Sequence, residues 1–114
     1  MTGTDGLLAC IGELERVDEA IAEATHRRDT PALLEAIEAR APVAAALLEA
    51  IAEDDRRQQA RLGAAAARGR ETSGLVAWLE DRDRVMEALA GLVDARTREY
   101  NRILREIAAG RRWR

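Results

Sequence analysis

The chain has 114 residues, 24 of them Ala and 13 Leu, and every one of its 18 basic residues is Arg. With no Phe, two Pro, five Val and six Ile, it lacks the β-branched and aromatic stock and the frequent turns of a β-sandwich or barrel. A net charge of −3 disfavours a nucleic-acid binder, whose footprint is clearly basic, and no apolar run nears the ~18 residues of a membrane span. The length is that of one domain, residues 1–114. The N-terminus shows no basic segment followed by an apolar one, so no signal peptide is expected. Cys10 alone cannot form an intramolecular disulfide, and its apolar position reads as core packing. Cytoplasm is the expected compartment.

The first predicted helix spans about 5–28. Leu7, Ile11, Leu14, Val17, Ile21 and Ala24 recur at steps of three and four, which places them on one face. Asp5 is a candidate N-cap, and Arg27-Arg28 suits the negative end of the helix dipole. His26, the only histidine, reads as a solvent-exposed residue at the helix end.

Thr30-Pro31 is the clearest punctuation in the chain: Thr caps a helix and Pro fits its first position. A short turn at Asp29-Thr30 sends the second helix, about 31–68, back along the first. Its apolar register reads Leu34, Ile37, Ala41, Ala44, Leu48 and Ile51, then turns polar at Asp55 and Gln58 before Leu62. Pro42 lies inside this register and removes one backbone hydrogen bond. Because the apolar phase survives across it, a continuous helix kinked near Pro42 is expected.

Arg68 to Gly74 reads as a loop, with Thr72-Ser73 supplying cap chemistry. The third helix follows over about 74–109. Its stripe runs through Leu75, Trp78/Leu79, Val85/Met86, Leu89, Leu92/Val93, Tyr100, Ile103/Leu104 and Ile107, with Arg82 and Arg96 interrupting. This helix is too long for the first to cover, so one end must be exposed, fold over or meet a partner. Trp78, Leu79, Val85, Met86 and Leu89 make its first half strongly apolar, which predicts a homo-oligomer. Arg111-Arg112-Trp113-Arg114 forms a basic tail. The fold class that emerges is all-α, an antiparallel bundle of three main helices.

The same residues exclude much chemistry. One His and one Cys cannot converge on a metal, and no cofactor is expected. No phosphate-cradling Gly loop precedes a helix, and Ser73, the only serine, has no evident base. Acid pairs such as Asp54-Asp55 are common on helix surfaces. An enzyme is therefore not expected. Amphipathic surface in excess of what a small bundle buries is instead suited to recognising other helices.

Two stretches carry a resemblance. Arg28-Asp29-Thr30-Pro31-Ala32-Leu33-Leu34-Glu35-Ala36-Ile37 joins a short turn to a Leu-x-x-Leu helix start. The closing helix carries Leu89-x-x-Leu92-x-x-x-Arg96-x-x-x-Tyr100-Asn101-Arg102-Ile103-Leu104. Over about residues 7–108 this layout resembles the FlgN/FliT type of flagellar export chaperone. The resemblance implies a cytoplasmic, non-enzymatic bundle that binds an amphipathic helix of a hook-associated or filament-cap subunit. It would prevent premature assembly and deliver the subunit to the export apparatus. The closing helix would be the client-binding element, with Leu89, Leu92, Val93, Tyr100, Asn101, Ile103, Leu104 and Ile107 as the site. Asn101 would fix register, and Arg96, Arg102 and Arg105 would form a polar rim. A client reading another surface would use helix 2 near Leu47–Ile51. The alternative is a structural coiled-coil oligomerisation module without a client.

Overall fold

The computed structural model describes residues 3–112, with side chains from residue 6 onward. It consists of α1 (Gly3–Arg27), α2 (Thr30–Ala67) and α3 (Ser73–Ala108), with no strand among the described residues. The fold is thus the expected all-α antiparallel three-helix bundle. Asp5 lies within the first turn of α1 and does not precede it. Trp113 and Arg114 of the basic tail lie outside the described residues.

Local chemistry sets the helix ends. Asp29, not Thr30, caps α2: its carboxylate accepts from the Ala32 amide at 3.1 Å, and Thr30-Pro31 open the helix. Asp29 can do this because its own backbone is extended while its oxygen reaches a free first-turn amide. At α3 the Ser73 amide donates to the Glu71 carboxylate, while the Thr72 side chain makes no cap bond. All three helices end in one hydrogen-bond pattern around a left-handed residue. These residues are Arg28 (φ 56°), Gly69 (φ 70°) and Gly110 (φ 70°). Arg28 holds there a conformation that favours glycine.

The helix α2 runs unbroken through the exposed Pro42. It is the central element, in contact with both α1 and α3, while no Cα of α3 comes within 8 Å of α1 among the described residues. Its deepest positions are Leu33, Arg40, Leu47 and Asp54, seven residues apart. The expected register through Leu34 is one residue off centre, and Leu34 is exposed. One core cluster joins Leu7, Leu14, Ala44, Leu47 and Val93, with Cys10 partly buried against it. A second joins Ile21, Ala24, Leu33 and Ile103. His26 is exposed, as expected.

The molecule is long and thin, 65 × 24 × 16 Å, with a radius of gyration of 18.7 Å against about 13 Å for a compact chain of this length. It exposes 7659 Å², whereas a compact monomer of this mass exposes about 6,200 Å². The excess follows from unequal helix lengths: α1 has 25 residues, α2 has 38 and α3 has 36. At ~1.5 Å per residue, α2 and α3 run about 20 Å past the end of α1.

Candidate helix-binding groove

A polar knot fixes α3 on the other two helices. Arg40 of α2 is 3% exposed. Its Nε donates to Asp18 Oδ1 of α1 at 3.0 Å. Its Nη1 donates to Thr97 Oγ1 at 2.7 Å and its Nη2 to the Val93 carbonyl at 3.2 Å, both on α3. The Tyr100 hydroxyl donates to Asp18 Oδ1 at 2.9 Å, and Arg96 donates to Asp18 Oδ2 at 3.1 Å. The Arg40 guanidinium also stacks 4.9 Å from the Tyr100 ring centre. Each of the three guanidinium nitrogens of this buried cation thereby reaches an acceptor, which is what makes its burial tolerable. A second ion pair ties α2 to α3 where α1 ends: Arg82 Nε and Nη2 donate to Asp54 Oδ2 at 2.9 and 2.6 Å, and Arg82 stacks on Trp78.

Burial and the hydrogen bond to Asp18 hold the Tyr100 hydroxyl's pKa above its usual value of 10. The folded state therefore binds this proton more tightly than the unfolded state. Its contribution is complete below about pH 10 and is lost as pH rises through the raised folded value. The melting temperature should hold steady through neutral pH and fall above about pH 10, and Tyr100→Phe should flatten that alkaline fall. Equal alkaline slopes in the two proteins would remove Tyr100 as the cause. The neighbouring Asp18 carboxylate likewise raises the Arg96 pKa.

On the face of the α2–α3 pair that α1 does not touch, two clefts lie end to end. The first, about 480 Å³, is lined by Ile37, Ala41, Ala44, Ala45, Leu48, Val93, Tyr100 and Asn101 among others. The second, about 410 Å³, continues through Ile51, Ala52, Gln58, Leu79, Met86 and Ala90. Along α2 they cover residues 37–58, about 30 Å, the length of a helix of some 20 residues. The alanines matter because small side chains let a second helix approach the α2 backbone. The rim is acidic: Glu38, Asp55, Asp83, Glu87 and Asp94 are exposed, and none forms an ion pair with a described residue. The two arginines lining the groove, Arg40 and Arg82, are already held by Asp18 and Asp54. Gln58 Oε1 is buried without a hydrogen-bond partner.

The eight residues expected to form one client face on α3 are divided by the structure. Val93 and Ile103 are 3% and 6% exposed and belong to the two core clusters, so neither is free to anchor a partner. Ile107 and Tyr100 are partly buried against the second cluster. Tyr100 and Asn101 also line the α2–α3 groove, whereas Leu89 and Leu92 line a different cleft shared with Ile11 and Leu14 of α1. Leu104 is half-buried. The expected rim is divided too: Arg96 is engaged by Asp18 and Arg102 by Glu99. The fallback surface on helix 2 fares differently: Leu48 and Ile51 line the groove, while Leu47 is fully buried. The register expected for helix 2, from Ile37 through Ala41, Ala44, Leu48 and Ile51 to Asp55 and Gln58, runs along this groove, whereas Ala45, Ala52 and the rest of the acidic rim carried no signal in the sequence.

Among the described residues no group of side chains is placed to hold a metal ion, and no helix is long and apolar enough to cross a membrane. Comparison with known proteins finds no matching family model, no matching curated protein and no matching solved structure.

Proposed function

We propose that this chain is a helix-binding chaperone that receives an amphipathic helix of a partner subunit in the α2–α3 groove. The observation that carries this reading is the open, alanine-floored groove whose acidic rim has no counter-charge of its own. Such a groove favours a helix with aliphatic anchors on one stripe and Arg or Lys on its flanks, because burial of the stripe supplies affinity and charge complementarity supplies register and rate. A donor on that helix would also satisfy Gln58 Oε1. In the setting implied by the FlgN/FliT resemblance, the guest is a terminal helix of a hook-associated or filament-cap subunit. Covering it keeps the subunit unassembled until export.

The test uses Ala45→Trp. Ala45 is exposed and lines the groove, so a bulky side chain should leave the bundle folded and fill the guest's place. Calorimetric titration with purified hook-associated and cap subunits, and with a synthetic basic amphipathic helix, should show at least about tenfold weaker binding, or ~1.4 kcal/mol. Ala95→Trp, on an exposed position of α3 outside the groove, should bind as wild type. Undiminished binding by a folded Ala45→Trp variant would refute the groove. A second reading, an oligomerisation module without a client, is favoured by the extended α2–α3 arm.

A further inference from the structure

We propose that the distal α2–α3 arm is a self-association element, and that two copies pair their arms into a four-helix bundle. This is independent of the groove, which faces the other way. Beyond the end of α1 the bundle is reduced to two helices. Leu79 is 4% exposed there and belongs to neither core cluster, and Leu62 and Leu75 are only half-buried. Two helices with so small a core draw little stability from packing, and packing is the main source of helix stability.

The face left open is the one α1 covers further down. Leu92 borders the cleft shared with α1, and steps of seven along α3 lead from it to Val85 and Trp78, which are 62% and 44% exposed. On α2, Val43 borders α1, and the same steps lead to Ala50 and then to Arg57, with Arg61 one turn on. An apolar flank thus continues on α3, and a basic flank continues on α2, past the point where α1 stops.

Charge selects a second copy as the occupant. Residues 55–70 carry one acid and five arginines, whereas residues 71–87 carry five acids and two arginines. The arm has a net charge of only +1 but is dipolar, its α2 side basic and its α3 side acidic. An isologous two-fold pairing can set α2 of one copy beside α3 of the other, so each basic helix meets an acidic one twice. The surplus of exposed surface over a compact monomer, about 1,500 Å² per chain, is more than the ~800 Å² that each partner of a standard interface buries.

The experiment is sedimentation of the full chain at micromolar concentration, with far-UV circular dichroism on each variant. Wild type should run at twice its 12.5 kDa, and the Trp78→Glu, Val85→Glu double variant at 12.5 kDa with its helix content retained. Arg57→Glu with Arg61→Glu, both exposed positions, should also give the monomer and decides the matter if the apolar variant unfolds. Mixing that variant with Asp81→Arg should restore a dimer more than either does alone. A monomeric wild type overturns the proposal. So does a wild-type dimer that survives both variants, or a wild-type monomer whose arm takes up only an added amphipathic peptide.

Discussion

Arg40→Ala is expected to unfold the protein or to cost about 3–5 kcal/mol, a large part of the ~5–15 kcal/mol that holds a domain of this size together. The reason is what the substitution leaves behind. Asp18 is only 11% exposed at its side chain and keeps Arg96 and Tyr100, but it loses the buried cation that faces it. The Val93 carbonyl loses its charged donor, and a void opens where α2 meets α3. Removing the whole knot at once should behave differently. Arg40→Met combined with Asp18→Leu and Tyr100→Phe replaces buried charges with apolar volume, which is often neutral or stabilising. Urea unfolding followed by circular dichroism distinguishes the two. A single Arg40→Ala variant within about 1 kcal/mol of wild type would show that the knot is incidental.

The Asp54–Arg82 pair should respond asymmetrically to loss of its two members. Arg82→Ala strands a carboxylate that is 2% exposed, and breaking a buried pair in this way typically costs about 3–5 kcal/mol. Asp54→Ala leaves an arginine whose side chain is 19% exposed and whose long stem can carry the guanidinium to water, so about 1–2 kcal/mol is expected. The damage should be local, because this pair lies where α1 ends. Amide exchange in Arg82→Ala should quicken over roughly residues 54–82 first, with Leu33 and Ile21 of the proximal core protected longer. Equal losses in the two variants, or uniform exchange along the chain, would contradict this account.

The candidate site was less legible than the fold. A groove needs two helices, and beside the helix 2 register its lining takes in α2 residues that look unremarkable alone, such as Ala45 and Ala52. Reading α3 as a single stripe merged side chains that face three ways: Val93 and Ile103 into the core, Leu92 toward α1, Asn101 into the groove. A helix that touches two neighbours and borders a third space presents a broad apolar arc, and periodicity does not divide that arc among partners.

The sequence by itself determined the number of helices, their bounds to within two residues, and their antiparallel order. Those depend on local forces: the three-and-four spacing of Leu7 to Ala24, the Asp29-Thr30-Pro31 break, and the glycines after α2 and α3. Only the tertiary structure decided which face of α2 is central. Its deepest ridge reads Leu33, Arg40, Leu47, Asp54, and a ridge half made of charges scores poorly beside one through Leu34, Ile37 and Leu48. Arg40 and Asp54 can be buried because Asp18 arrives from 22 residues earlier and Arg82 from 28 residues later. A charge loses its hydration wherever it is buried, but whether a partner offsets that loss depends on a residue distant in sequence, and folding alone brings the two together.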